Sequence, residues 1–414
     1  MPTSTEQKRI LVISKNPTLE SSINSAINGQ TEFLMLESPN LAKGILPTIA
    51  ELQPDVILLD YEYQARGFFD LVDKIATEYP GSAVIVILPE SEMSNSERVI
   101  LSGARTFIVN PFKQENLLTT VRRVMELMVR NQTGSVQPTL NVLARPKNTF
   151  TVFSPKGGAG TTTVATNLAI SLNKVMREDV LLVDGKYLFG HVALCLNLRT
   201  ANSLTDLITH VGMLDQRLIK QVVVRHISGV NVLPSPNSIS EAQGIRPDDL
   251  FKVIQALQQV YPNIIIDGGS HLNENTVTYM DSSDKVLVVL NPDLASLRDV
   301  RQFMEISQTL SYPPGKILFI LNLTGRKADV KREEIENILK MKIFGKIPAD
   351  ENSALSSLNE GVPLVLKNPN HPISSAITDI AKDLAKLIKK ANQDYLESHK
   401  VETSEILTKS SKLG

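Results

Sequence analysis

The sequence predicts an α/β fold of two three-layer domains, each with a parallel sheet flanked by helices. Short apolar runs alternate with segments of helical periodicity along most of the chain, which is the pattern of βαβ units. The runs are continuously apolar, as in strands buried on both faces of a sheet. A polar stretch with glycine and proline interrupts the alternation over residues 131–147, and it indicates a connection between domains.

This interruption divides the 414 residues into four segments. We expect a first domain over residues 1–130, a linker over 131–147, a second and larger domain over 148–394, and a polar tail over 395–414. Chains of this length commonly hold about two or three domains. The tail has few apolar residues to pack, so we expect its end to fray.

Both domains show strand-like runs followed by helical patterns. In the first domain the strands are predicted at 10–14, 56–60, 83–88 and 106–109, with a helix at 116–130. In the second they are predicted at 149–154, 180–184, 263–267, 285–290 and 316–322. Residues 373–390 carry an apolar stripe at helical spacing, which predicts a last helix packed on the sheet.

Composition and charge exclude several classes of function. The net charge of −1 lacks the basic excess of a nucleic-acid-binding protein, so no nucleic-acid partner is expected. The single cysteine, Cys195, permits no intramolecular disulfide and is interpreted as a small buried hydrophobe. The histidines show no metal-ligand spacing, so no metal other than Mg²⁺ is expected. Because no apolar run approaches the length of a membrane span, we expect a cytoplasmic protein.

The most informative segment links the first strand of the second domain to its first helix. It reads Phe153-Ser-Pro-Lys-Gly-Gly-Ala-Gly-Thr-Thr-Thr-Val164. Glycines let backbone N–H groups converge on phosphate oxygens, and a helix that begins near Thr161 adds the positive end of its dipole. The hydroxyl of Thr162 is placed to reach Mg²⁺. The alternative is a glycine-rich turn that binds no ligand.

Two positions depart from the strict phosphate-loop pattern G-x-x-x-x-G-K-[ST]. Pro155 replaces the first glycine, and Thr161 replaces the lysine that reaches the β- and γ-phosphates. The run 156–163 instead resembles the deviant phosphate loop of the MinD/ParA family, K-G-G-x-G-K-[ST], in which an extra lysine precedes the glycines. The resemblance implies that Lys156, at that signature position, contacts phosphates across an ATP-sandwiched homodimer.

Further landmarks of the family follow in the same order between about residues 148 and 392. Asp184 ends the strand that leads into the first switch, and Asp267 ends the strand that carries the aspartate associated with Mg²⁺. The resemblance implies ATP and Mg²⁺ as cofactors, catalytic roles for Lys156 and Asp184, and Mg²⁺ ligation by Thr162 and Asp267. A strand-terminal aspartate can instead cap the next helix. The residues that the resemblance places around ATP are Lys156, Gly157, Gly158, Ala159, Gly160, Thr161, Thr162, Thr163, Asn322 (adenine recognition) and Pro348 (the turn that flanks the base).

One departure from the family bears on catalysis. The first switch of the family reads D-x-D, and its second carboxylate is tied to hydrolysis. Here the segment reads Asp184-Gly-Lys186, so an ammonium replaces a carboxylate. We therefore expect ATP binding with ATPase activity that is weak at most. Our hypothesis is that Lys186 restores part of the positive charge that Thr161 lacks, and the alternative is an exposed lysine without a phosphate contact.

Within that family, three segments look most like the CpaE/TadZ branch. They are residues 182–194, 201–207 and 291–299. Proteins of this branch localise and help to assemble Flp-type (Tad) pili, and many carry a receiver-like N-terminal domain. The resemblance implies a homodimer that binds pilus or secretion assembly proteins and that reaches a cell pole or the inner membrane peripherally, through those partners.

The first domain resembles a response-regulator receiver domain over nearly its full length, with a flavodoxin-like parallel sheet. Asp60 falls at the phospho-acceptor position. Phosphoryl transfer to it needs Mg²⁺, and the acidic pair that holds this ion in receivers reads Ser14-Lys15 here, while Asn110 replaces the receiver lysine. Asp60 is therefore interpreted as a vestigial phospho-acceptor or a helix-capping residue. A pseudo-receiver of this kind would serve as a docking or dimerising surface.

Two other functions stay open at this point. One is a scaffold that has lost nucleotide control and uses both domains only to bind partners. The other, less favoured, is a ParA-like DNA-partition ATPase, because a partition cycle needs turnover and the near-neutral charge offers little to DNA.

Overall fold

The chain is described from a computed structural model. The description covers residues 7–37, 44–64, 67–133, 148–236, 238–310, 312–325 and 330–410. The protein forms two compact units, and each is built around its own sheet. The predicted linker lies outside the described residues from position 134 to position 147.

The first unit has a five-stranded parallel sheet in the order β2-β1-β3-β4-β5. Its strands are β1 Lys8–Ile13, β2 Phe33–Met35, β3 Val56–Asp60, β4 Ala83–Pro89 and β5 Thr106–Asn110. Its helices are α1 Pro17–Ile27, α2 Ile45–Leu52, α3 Phe68–Glu78, α4 Ser96–Leu101 and α5 Gln114–Thr133. This order is that of flavodoxin-like folds, so the predicted receiver-like fold is confirmed.

The sheet of the first unit is buried because apolar side chains cover both of its faces. Ile10 and Val56 point to one face, where they pack with α1 and α5 side chains such as Ile23. Leu11 and Ile57, one residue further along each strand, point to the opposite face, as the two-residue period of a strand requires. Because both faces are buried, each of these strands is a continuous run of apolar residues in the sequence.

The second unit has an eight-stranded sheet in the order β13-β12-β11-β6-β10-β7-β9-β8. The strands are β6 Asn148–Phe153, β7 Val180–Asp184, β8 Val224–Arg225, β9 Asn231–Leu233, β10 Asn263–Asp267, β11 Lys285–Leu290, β12 Ile317–Thr324 and β13 Ile343–Pro348. The predicted parallel arrangement holds for every pair except β8 and β9, which run antiparallel. The sheet is therefore mixed at this edge, and a two-residue edge strand offers too short a pattern to be predicted.

Twelve helices follow α5 in the chain order of the described residues. They are α6 Thr161–Met176, α7 Val192–Cys195, α8 Leu204–Thr209, α9 Gln216–Val222, α10 Ile239–Gln243, α11 Pro247–Val260, α12 Glu274–Ser282, α13 Leu294–Thr309, α14 Arg332–Leu339, α15 Glu351–Glu360, α16 Leu364–Lys367 and α17 Pro372–Ser410. Helix α17 takes in the predicted polar tail as far as Ser410, and residues 411–414 lie outside the description. Among the described helices, none is long and apolar enough to cross a bilayer.

The last helix packs on the sheet through the apolar stripe that the sequence shows. Leu384 of α17 is 0% exposed and lies in one cluster with Leu168 of α6 and Ile265 of β10. We expect Leu384→Ala to lower the free energy of unfolding by about 2–5 kcal/mol, because it leaves a cavity in this layer. Urea unfolding of the full chain measures this loss. Lys386→Ala on the exposed side of α17 is the control and should change it by less than about 0.5 kcal/mol; equal losses would contradict the packing.

Candidate nucleotide-binding site

The glycine-rich segment has the strand–turn–helix form that a phosphate loop needs. Strand β6 is entirely buried in the sheet, and α6 begins at Thr161 with Gly160 as its N-cap residue. Gly158 and Gly160 have φ angles of 76° and 95°, a region that favours glycine because it has no Cβ atom. The first backbone N–H groups of a helix have no partner within the helix, so those of α6 are available to an anion at this end.

The loop residues differ in how far they are open to solvent. Gly157 and Gly158 are exposed at the tip, whereas Ala159 is buried. Thr162 and Thr163 are half-buried in the first turn of α6, while Thr161, in place of the family lysine, is 8% exposed. The loop therefore presents backbone and hydroxyl groups, and it presents no cation at position 161.

Asn322, near the end of β12, stabilises this loop through a hydrogen bond. Its Nδ2 atom donates a hydrogen bond to the carbonyl oxygen of Ala159 at 2.8 Å. A Cβ atom at Gly160 would lie 2.6 Å from that same Nδ2 atom, so only glycine fits there. Pro348 ends β13, opposite Thr324 of β12. The adenine roles of Asn322 and Pro348 stay predictions, and the contact with the loop is a role that the sequence did not reveal.

Asp184 and Asp267 are brought side by side at the carboxyl ends of neighbouring strands. They are register partners in the pairing of β7 with β10, and both are 0% exposed. Asp267 accepts hydrogen bonds from the hydroxyl of Thr162 at 2.6 Å and from the amide of Gly269 at 3.3 Å. Asp184 accepts from the amides of Val192 at 3.0 Å and Lys186 at 3.3 Å. The Val192 contact, at the first turn of α7, agrees with the capping alternative.

Burial makes both carboxyl groups hard to ionise. It raises the pKa of Asp184 to about 7, with the charge of Asp267 adding to the effect and the two amides opposing it. Burial also raises the pKa of Asp267, while the Lys186 ammonium and the Thr162 hydroxyl oppose the rise. Near neutral pH the pair therefore carries less than two full negative charges.

Lys186 lies inside this arrangement rather than on the surface. Its Nζ atom donates to Thr162 Oγ1 at 2.7 Å and lies 3.8 Å from Asp267 Oδ2. The side chain is 24% exposed, so Lys186 is not the exposed lysine of the alternative, and its contact with phosphate stays a prediction. The ammonium stands at the start of α6, one residue from the uncharged Thr161, which is the location that our charge-restoration hypothesis requires.

Lys156 is held by a carboxylate that the sequence analysis did not single out. Its Nζ atom contacts both oxygens of Asp293, at 2.9 and 2.8 Å. Partial burial tends to raise the pKa of Asp293, but hydrogen bonds from Lys156 and from the Ser296 amide bring the pKa below its ordinary value. Asp293 follows β11 by three residues, and this position just beyond a buried strand is the signal that could have indicated it.

The oxygen donors predicted for Mg²⁺ do not fit the ion in this arrangement. Mg²⁺ takes oxygen ligands at about 2.0–2.1 Å in an octahedron. Here Thr162 Oγ1 bonds directly to Asp267 Oδ2 at 2.6 Å and receives the Lys186 ammonium at 2.7 Å. A cation is therefore already bound to Thr162 Oγ1 and lies 3.8 Å from Asp267 Oδ2. Within the described part of the chain, no group of three or more acidic, histidine or cysteine side chains offers another metal site.

In the first unit, Asp60 is occupied by local hydrogen bonds. It is 4% exposed, accepts from the Ser14 hydroxyl at 2.5 Å, and accepts from the Glu62 amide at 3.1 Å. The second contact caps the short 3-10 turn Tyr61–Tyr63, as the capping interpretation predicts. Ser14 occupies the place where receivers carry an acidic Mg²⁺ ligand, and here it binds Asp60 directly. Phosphorylation of Asp60 stays untested.

The single cysteine is half-buried. Burial raises the pKa of the Cys195 thiol to about 11, and the charges of Asp267 and Asp184 add to the rise. The group is therefore a neutral thiol at physiological pH, which is not the form that attacks as a nucleophile.

Comparisons with known proteins agree with both units. A family model described as a response regulator receiver domain matches residues 10–122, and one described as an AAA domain matches residues 147–313. The septum site-determining protein MinD of Thermotoga maritima is 25% identical over 242 residues, which cover 57% of this chain and 87% of the relative. The second unit is homologous to MinD/ParA ATPases.

Solved structures support the same homology. A ParA family ATPase from Chlorobium tepidum matches with a TM-score of 0.54 and 27% identity, covering 57% of this chain and 98% of that chain. MinD from Pyrococcus horikoshii, solved with Mg-ADP, matches with a TM-score of 0.52 and 26% identity, covering 58% and 97%. An uncharacterized ATP-binding protein of Methanocaldococcus jannaschii is 27% identical over 237 residues, covering 57% and 87%.

The chain therefore resembles a receiver domain in its first unit and MinD/ParA ATPases in its second, and the site of the second unit differs in charge from the phosphate-loop pattern of those ATPases. The glycine loop, the helix start and the strand-end carboxylates are all present. The cations differ, because Thr161 supplies none, whereas Lys186 supplies an ammonium 2.7 Å from Thr162 Oγ1.

Proposed function

We propose that this protein is an ATP-binding localisation and assembly factor for Flp (Tad) type pili, of the CpaE/TadZ kind. It acts as a nucleotide-dependent homodimer with weak or no ATP hydrolysis. One observation carries the proposal: an ammonium, that of Lys186, sits at the phosphate loop where the family has a hydrolytic carboxylate, 2.7 Å from Thr162 Oγ1. Such a site can bind polyphosphate and is poorly equipped to cleave it.

The charges in this site disfavour hydrolysis of ATP. Attack by water on a phosphoryl group needs a group that orients the water and cations that neutralise the developing charge. An ammonium cannot accept a proton from that water, and Thr161 supplies no charge to the leaving phosphate. Asp184 is buried and is engaged by the amides of Val192 and Lys186, so it is not free to take over. Binding through backbone amides remains, and it makes the protein a switch set by occupancy.

Exposed apolar side chains support a homodimer. Phe189 and Leu188, in the segment after β7, are 76% and 49% exposed, and adjacent exposed apolar side chains favour association. Lys156 is neutralised by Asp293 within its own chain. To reach phosphates across a dimer, it would exchange this ion pair for the nucleotide. We propose that the dimer recruits pilus or secretion assembly proteins in the cytoplasm, at a pole or at the inner membrane. Relatives named septum site-determining proteins are in keeping with such a positional role.

Calorimetric titration of the full-length protein with Mg-ATP tests binding. We expect Lys156→Ala to weaken ATP binding by at least about tenfold, or about 1.4 kcal/mol. Lys220→Ala, an exposed lysine of α9 away from the loop, serves as the control and should leave the affinity unchanged. Phosphate release at background rates and a mass increase with ATP in light scattering would support the rest of the proposal. Rapid turnover would refute it.

A nucleotide-independent scaffold is the second candidate, and one observation favours it. Lys156 and Asn322 each already have a partner within the chain, in Asp293 and in the Ala159 carbonyl. A loop whose groups satisfy one another can be a purely structural turn. Absence of ATP binding in the titration would establish this reading. A ParA-like DNA-partition role is disfavoured by the missing hydrolytic carboxylate, and DNA binding that falls steeply with salt would revive it.

A further inference from the structure

We propose that the ammonium of Lys186 takes the place of Mg²⁺ in this site, so that the protein binds its nucleotide without a divalent cation. The inference rests on the proposed ATP binding and specifies how that binding is achieved. It concerns the charge that the chain itself brings to the phosphates.

The position of the ammonium is the first argument. The resemblance assigns Mg²⁺ to Thr162 and Asp267, and Lys186 Nζ lies 2.7 Å from Thr162 Oγ1 and 3.8 Å from Asp267 Oδ2. The lysine therefore donates a hydrogen bond to one of the two groups that would hold the ion and forms an ion pair with the other. A Mg²⁺ ion about 2.0–2.1 Å from Thr162 Oγ1 would lie less than about 5 Å from the Lys186 ammonium, and two cations this close repel each other.

The second argument is that the surrounding glycines fit this lysine. A Cβ atom at Gly269, whose φ is +69°, would lie 3.0 Å from Lys186 Cγ and 3.1 Å from Cε. The absence of a side chain at Gly269 thus leaves space for the aliphatic part of the Lys186 side chain. At Gly185, a Cβ atom would lie 2.8 Å from both the Asp267 carbonyl oxygen and Tyr279 Cε2. The backbone before Lys186 therefore packs closely against β10, which fixes the position of the Lys186 Cα atom.

Charge balance supplies the third argument. Asp184 and Asp267 are both 0% exposed, and triphosphate oxygens at the start of α6 would add further negative charge beside them. Such charges are stable in a buried site only when a cation pairs with them. Lys186 supplies that cation permanently, since it is covalently part of the chain.

The ammonium also has the hydrogen-bonding capacity for this role. It carries three N–H donors, and one of them serves Thr162 Oγ1. The remaining donors can bind phosphate oxygens, as a lysine does when it acts as a point charge on phosphate. Unlike Mg²⁺, an ammonium imposes no octahedral geometry and needs no retained water.

Titration of the full-length protein with ATP and with ADP, in excess EDTA and in excess Mg²⁺, tests the inference. For the unmodified protein we expect the Kd in EDTA to lie within about threefold of the Kd in Mg²⁺, or about 0.7 kcal/mol. Lys186→Met, similar in length but uncharged, should weaken binding in EDTA by at least about tenfold, and Mg²⁺ should restore much of the loss. Lys186→Arg keeps the charge and should bind in EDTA.

The outcomes separate this inference from the function on which it rests. Binding by the unmodified protein in Mg²⁺ but not in EDTA would overturn the inference and leave the proposed function standing. Lack of binding in both buffers would overturn the proposed function, and the inference with it. If Lys186→Met does not fold, as judged by circular dichroism, the comparison of buffers on the unmodified protein and on Lys186→Arg still decides.

Discussion

Gly160→Ala is expected to weaken ATP binding by at least about 30-fold, or about 2 kcal/mol. The residue has a φ of 95° and caps α6, and an L-residue in such a conformation costs about 1–3 kcal/mol. The added methyl group would also lie 2.6 Å from Asn322 Nδ2. Relief of that contact breaks the Asn322 hydrogen bond to Ala159, which shapes the loop.

Gly158→Ala is the matched control for this variant. Its φ is 76°, yet an added Cβ atom meets no protein atom within 4 Å. It therefore carries the backbone strain without the collision, and its loss of affinity should be several times smaller. Equal affinities for the Gly160 and Gly158 variants, measured by calorimetry, would show that the collision is irrelevant.

The central strands were predictable from the sequence because burial leaves a clear pattern. β3, β7, β10 and β11 have the predicted bounds, and each is a run of apolar residues enclosed on both faces. The edges were not predictable. β2 has three residues, of which one is buried, and β8 has two. Their pairing depends on a neighbouring strand that local sequence does not reveal.

The site shows the same division between local and distant information. The phosphate loop and the two strand-end aspartates follow from short segments, because a parallel sheet gathers its strand ends on one edge. The ion pair of Lys156 with Asp293 joins residues 137 positions apart, and the Asn322 contact with Ala159 spans 163 positions. Neither leaves a trace in local spacing. The hydrogen bond of Lys186 to Thr162 is likewise a product of the fold.

The first unit keeps a receiver-like fold around an Asp60 that we interpret as a vestigial phospho-acceptor or a capping residue. Its sheet order and both apolar layers are those of a receiver. The Ser14 hydroxyl binds Asp60 Oδ2 directly, at the place where a receiver acid would hold Mg²⁺. Packing of the strands does not depend on whether a serine or an acidic residue stands at position 14, because this difference affects only the ends of β1 and β3. Conservation of shape without acidic ligands favours a docking role, which stays part of our proposal.

The stability of the protein is expected to fall as the pH rises from about 4 to about 7, because Asp184 is buried. Burial raises its pKa from 3.8 to about 7. Between these pH values the unfolded chain has lost the proton and the folded chain retains it, so a rise in pH favours unfolding. The resulting loss in the free energy of unfolding is absent below about pH 4 and grows by about 1.4 kcal/mol per pH unit. It levels off above pH 7 at about 4 kcal/mol. Because Asp267 shares the site, we take this total as an upper value.

Asp184→Asn removes the titrating group and should therefore remove this slope. Relative to the unmodified protein, we expect the variant to gain about 2–4 kcal/mol of stability between pH 4 and pH 8. Urea unfolding at several pH values measures the difference between the two proteins, in which shifts from other carboxylates cancel. Asp379→Asn, which changes an exposed aspartate of α17, is the control. Its free energy of unfolding should change with pH in the same way as that of the unmodified protein. If the free energy of unfolding of Asp184→Asn shows the same pH dependence as that of the unmodified protein, the Asp184 carboxyl group is ionised throughout this range, and the Lys186 ammonium neutralises both aspartates.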